Sequence, residues 1–293
     1  MSARHLYRDG VAVGFATSGR ADPAAPDVLL LPGWQLVDSR VWDAHAAALA
    51  PHARVTTFDA RGSGRSGRPR TPRAYAPTEI VADAVAVLDA VRADRAVVVG
   101  NSFGGVLGLL LAALHPDRVA ALVLVGPTVD LLGEGIAPIS EAMRRFDDDL
   151  GPGEQGWARY NRHAWRRDFP GFLRWFVETA SPEPHAAGGR EQVIAWGCAQ
   201  DPEVLAHTVA GRAGGSPAEQ AARFRALAGR VRCPAVVVHG ERDAIVPPAW
   251  GAALAERLGA AHLPLPGIGH CPQLTVPAAL ADVVVDTLER TPA

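Results

Sequence analysis

The stretch RAVVVGNSFGGVLGLLLAAL, residues 95–114, constrains this chain more than any other. An unbroken apolar run ends at Gly100, a short turn follows, and a second apolar run begins that suits a buried helix. Valines crowd the first run and glycines the turn, so the pattern predicts strand–turn–helix. Within the turn, Gly100, Ser102 and Gly104 spell G-x-S-x-G. A serine there occupies a sharp, strained turn at the carboxyl end of a strand, and flanking glycines let helix and strand pack closely. Its Oγ also lies at a helix N-terminus, where developing negative charge is favoured.

The same rhythm runs through most of the chain. VAVGFAT (11–17), VLLL (28–31), RVTTF (54–58), AALVLVG (120–126), CPAVVVHG (233–240) and AHLPLP (261–266) read as strands. Between them lie helical stretches such as VWDAHAAALA (41–50), PTEIVADAVAVLDAV (77–91) and PPAWGAALAERLG (247–259), with a closing helix around 277–290. Continuous apolar strands belong to a parallel sheet covered on both faces. The predicted class is therefore α/β, a doubly wound, mostly parallel sheet. From 133 to 215 the rhythm breaks into Gly/Pro breaks and charge clusters with no clear strand, and four of the seven tryptophans fall there. This predicts a core of 1–132 and 216–293 interrupted by a helical insertion, 133–215.

Composition narrows the function. A net charge of −2 gives no global field for nucleic acid or anionic membrane. The longest apolar run, VLGLLLAAL (106–114), is too short to span a bilayer, and MSARHLYRDG has no apolar signal region. Cys198, Cys233 and Cys271 are odd in number and widely spaced, which fits neither a disulfide framework nor a zinc site. These features predict a cytoplasmic protein acting on a small molecule, with its oligomeric state unreadable.

A second glycine motif competes for attention. In DARGSGRSGRP (59–69), Gly62, Gly64 and Gly67 spell G-x-G-x-x-G. A dinucleotide loop must open a helix, yet Pro69, Pro72 and Pro77 follow. The ribose-binding acid would fall at Glu79 or Asp83, expected on the solvated side of a helix. The nucleotide reading fails on context, and Arg61, Arg65, Arg68, Arg70 and Arg73 read as a solvated loop rather than a phosphate patch.

A serine hydroxyl needs a base, and the base needs an acid to fix its tautomer. Asp243 in ERDAIVP and His270 in GIGHCPQ follow in the order Ser…Asp…His, each just past a strand end, where an open α/β sheet places its site. Asp130, past AALVLVG, is the alternative acid, and His239 reads as a buried structural histidine. Two N–H donors must hold an oxyanion; the expected pair is the amides of Phe103 and of Trp34 in LPGWQ. The constellation calls for no cofactor and no metal. Trp157, Trp165, Phe172, Trp175 and Phe176 are candidates for an apolar substrate pocket, or else form the insertion's own core.

LPGW (31–34), DARGSGRS (59–66), GNSFGG (100–105), HGERD (239–243) and GIGHCPQ (267–273) together resemble the α/β-hydrolase-fold serine hydrolases, carboxylesterase-like with a helical cap, over nearly the whole chain. The resemblance implies that DARGSGRS packs beneath the nucleophile turn after the fourth strand and that 133–215 is the cap. It implies hydrolysis of an ester, thioester or lactone of a small, largely apolar substrate. Pro32-Gly33 stands where members commonly carry His-Gly, which leaves the second oxyanion donor open. Ser102 stands where epoxide hydrolases and haloalkane dehalogenases carry Asp. GNSFGG also resembles the turn of hydrolases that cleave carbon–carbon bonds of ring-fission diketones, but those carry an HGxGPG-type loop and a tryptophan after the histidine. A lyase, a cyclase or a binding protein on the same scaffold are the alternatives of another class.

Overall fold

The computed structural model describes residues 2–22, 24–212 and 214–291. Met1, Pro23, Ala213, Pro292 and Ala293, which fall within the ranges assigned above to core and insertion, lie outside the described residues. In chain order the elements are β1 (Ser2–Arg8), β2 (Val11–Gly19), β3 (Asp27–Leu31), α1 (Asp43–Leu49), β4 (Arg54–Phe58), α2 (Pro77–Ala90), β5 (Ala96–Asn101), α3 (Phe103–Leu114) and β6 (Val119–Val125). Then come α4 (Ala137–Arg144), α5 (Arg162–Ala180), α6 (Ala187–Gly197), α7 (Pro202–Arg212), α8 (Pro217–Ala228), β7 (Ala235–Gly240), α9 (Pro248–Leu258), β8 (Ala261–Leu265), α10 (Pro272–Thr275) and α11 (Pro277–Arg290).

The eight strands form one sheet in the order β1-β2-β4-β3-β5-β6-β7-β8. β1–β2 and β2–β4 pair antiparallel and the rest parallel. Strand pleating splits each central strand between two cores. Leu29, Leu31 and Val98 pack with α2, α3 and α9, whereas Val28, Leu30, Val97 and Val99 pack with α1 and α11. Burial on both faces explains why these strands read as unbroken apolar runs. The chain leaves β3 for β4 on one side and returns to β5 on the other, so a crevice opens beyond the ends of β3 and β5.

Between β6 and β7 the chain is helical. α5 carries Pro170 inside it and breaks at Asp168 (φ −150°, ψ 75°), whose Oδ1 accepts from Gly171 N at 2.9 Å and restarts the helix. The break turns Trp165, Phe169 and Phe172 into a compact aromatic core with Phe146 and Tyr160. Among the described residues no helix is long and apolar enough to cross a membrane.

Three expectations need correction. β1 precedes VAVGFAT: it is an edge strand in which polar and apolar residues mix, so it carries no apolar run. Asp83 is fully buried rather than solvated; Arg61 grips both its oxygens at 2.7 Å, and Arg8 adds a third bond at 2.7 Å. Arg61 is accordingly buried too, whereas Arg68, Arg70 and Arg73 are exposed. The DARGSGRS loop follows β4, and its hydrogen bonds run to β2, to the segment after β3 and, through Arg61, to α2. Ser66 Oγ accepts from Gly14 N at 2.9 Å, Gly67 N donates to Ala12 O at 2.8 Å, and Asp59 Oδ1 accepts from Ser39 N at 2.9 Å. Gly62 (φ +92°) and Gly64 (φ +50°) supply the left-handed backbone of that loop.

Removing one member of a buried ion pair strands the other. Asp83→Ala is expected to cost about 3 kcal/mol, read from urea unfolding; a cost below about 1 kcal/mol would show that Arg61 is as well solvated without it. His45, buried against Trp42 and Pro277, is lowered to about 4 by burial, with only a bond to Pro277 O opposing. Its folded pKa lies below the unfolded value of about 6.5, so the unfolded chain takes up the proton first and stability falls as pH drops from about 6.5 towards 4. His45→Gln is expected to flatten part of that loss in thermal melts; superimposable pH profiles would remove His45 as the cause.

Candidate active site

Ser102 occupies the turn between β5 and α3 with φ +58° and ψ −118°, a conformation that L-residues rarely adopt. The turn is possible because a Cβ on Gly100 would overlap the Gly104 carbonyl, and one on Gly105 would meet Pro127. α3 therefore sits directly against the strand it follows. Among the described residues, neither the Phe103 amide, first in α3, nor the Trp34 amide has a protein acceptor. Both residues line a cavity of about 640 Å³ together with Ser102 and His270.

His270 and Asp243 meet across 27 residues: His270 Nδ1 donates to Asp243 Oδ2 at 2.7 Å. That leaves Nε2 as the ring nitrogen available to the cavity. Ser102 Oγ makes no hydrogen bond to it among the described residues. Asp243 Oδ1 accepts from Ile245 N and Val246 N, both at 2.8 Å. Burial works to raise its pKa, but the charge of His270 and bonds from His239, His270 and Val246 hold the carboxyl well below the usual carboxylate range. His239 is buried, as its strand position predicts, and also touches the acid. Its Nε2 faces Asp243 Oδ2 at 3.1 Å and Val246 O at 3.2 Å; both are acceptors, so this nitrogen carries the proton.

The backbone around His270 is tied on three sides. His270 N donates to Ala180 O at 2.8 Å, Asn101 Nδ2 donates to His270 O at 2.9 Å, and Gly269 N donates to the buried Glu183 at 2.5 Å. Asn101 is itself oriented by Gln273 Nε2 at 3.0 Å. None of Asn101, Glu183 and Gln273 was singled out in the sequence reading; only the place of Asn101 beside Ser102 could have flagged it. Burial pushes the Cys271 thiol up to about 12, so it packs as a neutral side chain.

Asp130 lines the cavity but not the histidine. Its oxygens accept from Leu132 N, Gly133 N and Gly135 N, each at 2.8 Å, which caps its own loop. Of the five aromatic candidates, Trp157 and Phe176 line the cavity. Trp165 and Phe172 instead lie within the aromatic core, and Trp175 packs against it. Trp34 joins the two parts of the molecule. Its ring lies 5.4 Å from Tyr160 and 5.5 Å from Phe176, and its Nε1 donates to Thr208 Oγ1 at 3.0 Å. Arg212, which the sequence did not mark, enters the same cavity at the end of α7.

A family model described as alpha/beta hydrolase fold matches residues 26–277. The chain belongs to this family. The α/β-hydrolase is 30% identical to 2-hydroxymuconate semialdehyde hydrolase of Pseudomonas sp. (strain CF600), over 99% of this chain and 95% of that one. It is 37% identical to epoxide hydrolase B of Mycobacterium tuberculosis over 134 residues, 45% of this chain, and so spans only 37% of that relative's length. An esterase from Rhodococcus sp. ECU1013 shares its fold, with a TM-score of 0.79 at 24% identity and full coverage of both chains. The α/β-hydrolase is thus an enzyme with hydrolase relatives.

The geometry separates the two acids. Asp243→Asn is expected to lower kcat on the order of 10⁴-fold, the effect of a histidine left in the wrong tautomer. Asp130→Asn is expected to stay within a few-fold of wild type; the reverse ranking would move the acid to Asp130.

Proposed function

We propose that the α/β-hydrolase cleaves an ester-type bond, whether carboxylic ester, thioester or lactone, of a small and largely apolar substrate by way of an acyl-enzyme. The observation that carries this reading is the buried His270–Asp243 pair, opening on the same cavity as the strained Ser102. Ser102 Oγ attacks the carbonyl and His270 Nε2 takes its proton. Asp243 fixes the tautomer and balances the imidazolium. The Phe103 and Trp34 amides hold the oxyanion; His270 gives its proton to the leaving alcohol or thiol as the C–O or C–S bond breaks, and then activates water to release the acid. The serine–histidine bond forms in the loaded site, since catalytic hydrogen bonds often tighten only with substrate present. Residues 133–215 act as the cap, with Trp157 and Phe176 meeting the apolar part of the substrate. Three free cysteines support a reducing, cytoplasmic setting.

Carbon–carbon bond hydrolysis is the second reading, favoured by the likeness to 2-hydroxymuconate semialdehyde hydrolase across nearly both chains. The same serine, histidine and acid would serve it. LPGWQL in place of a glycine-rich loop, and Cys271 rather than tryptophan after His270, favour the ester. Ser102 in place of an aspartate speaks against epoxide opening.

Intact mass after treatment with a fluorophosphonate is expected to show one adduct on wild type and none on Ser102→Ala, which should lose kcat on the order of 10⁶-fold. Activity near wild type in Ser102→Ala would end the serine mechanism. An aryl-ester series run beside a ring-fission diketone then separates the two readings; turnover of the diketone alone would select carbon–carbon cleavage.

A further inference from the structure

Arg212 is the one feature of the cavity that neither fold nor triad explains. Its guanidinium carbon lies 4.8 Å from the Phe103 ring centroid and 5.1 Å from that of Trp34. It is thus seated between the side chains of the two residues that flank the oxyanion position. Nε donates to Thr208 O at 3.1 Å, and the Tyr160 hydroxyl lies beside the group. Among the described residues no carboxylate pairs with it, and burial lowers its pKa. Arginine nonetheless stays charged.

Charge counting around the cavity sharpens the point. Asp130 is the sole carboxylate among the described lining residues, and both its oxygens are committed to backbone amides. Arg223 adds a second guanidinium at the exposed rim. A cation enclosed by aromatic rings without a counter-ion is unfavourable in a protein interior. Stacking on Trp34 and Phe103 offsets part of this, and it also fixes the plane of the guanidinium, whose terminal nitrogens have the Tyr160 hydroxyl beside them and no carboxylate among the described residues. Those nitrogens present the paired donors that match a carboxylate.

We propose that Arg212 is a carboxylate-binding residue, and that the substrate is a small apolar acid whose free carboxylate pairs with this guanidinium while another of its carbonyls reaches Ser102. A single monoanion balances the single enclosed cation, whereas a phosphate dianion would not. The inference rests on the hydrolase reading for its second half only; the anion site stands on the cavity alone.

The test is a binding experiment on full-length Ser102→Ala protein, which does not turn over. The probes are 4-phenylbutanoate and its uncharged analogue 4-phenylbutan-1-ol, titrated by calorimetry at low salt. The acid is expected to bind at least about 10-fold tighter than the alcohol, the scale of a charge-assisted bidentate pair. Adding Arg212→Met should abolish that preference while alcohol binding persists, which also reports that the variant is folded. Equal affinity for both probes in the protein that keeps Arg212 overturns the proposal, with no need of a variant there. So does a preference that survives Arg212→Met. Fluorophosphonate labelling of wild type is read separately: labelling without acid preference leaves the hydrolase reading standing and removes the anion site. Acid preference without labelling keeps the anion site and removes the serine mechanism.

Discussion

Ser102 and His270, 168 residues apart in the chain, must be held to a fraction of an ångström in the proposed mechanism, and here the side chain of Asn101 does much of that. Its Nδ2 donates to Val125 O at 3.1 Å and to His270 O at 2.9 Å, while its Oδ1 accepts from Gln273. One buried amide thus ties the end of β5, the end of β6 and the loop after β8. Because Asn101 immediately precedes Ser102, the position of His270 is referred directly to the strand that leads into Ser102. The Asp243 side is fixed differently. Asp243 collects its donors from its own loop and from His239 on β7, so the imidazole is clamped between two separately anchored pieces. Buried polar networks of this kind are costly unless complete, and Asp243 uses both oxygens.

The helical insertion is joined to this frame through aromatic contacts and a few hydrogen bonds. Trp34, from the loop after β3, touches Tyr160, Trp165, Phe172 and Phe176, and Thr208 takes its indole N–H. The residue whose amide serves the oxyanion in the proposed mechanism is therefore one of those that seat the insertion on the core. Movement of these helices would be felt at the Trp34 backbone. Pro32 suits that arrangement, because it fixes its own φ and stiffens the loop that carries Trp34.

The sheet was legible because its central strands are buried on both faces and leave continuous valine and leucine runs. The Ser102 turn, Asp243 and His270 were legible because each lies at a strand end in a fixed order. β1 was not, since an edge strand alternates under no strong apolar demand. Asp83 was misplaced because its partners lie 22 and 75 residues away, and periodicity places a residue on a helix face without saying what covers that face. Five aromatics in the insertion looked alike in sequence, yet only the packing of the helices decides which turn inward. Trp165, before the break at Asp168, and Phe172, beyond it, make the core, and Phe176, one turn further on, reaches the cavity. Arg212 carries no motif at all; only its seat between the Trp34 and Phe103 rings, with no carboxylate partner among the described residues, sets it apart from the other arginines.

That enclosure bears on the chemistry. Acyl transfer builds negative charge at the oxyanion, and an acidic substrate brings a second negative charge into the same small volume. Close like charges in a poorly solvated space repel strongly, so a site without a cation would bind such a substrate weakly and reach its transition state with difficulty. Asp243 cannot be the source of further repulsion, because it is sealed behind His270 and saturated with donors. A guanidinium over the Phe103 ring offsets the substrate's own charge without competing for the oxyanion, whose donors are backbone amides. The sequence contains no lysine, and an ammonium would serve less well here. It is compact and strongly hydrated, whereas the guanidinium is flat, weakly hydrated and able to rest on two aromatic faces while its outer edge stays free.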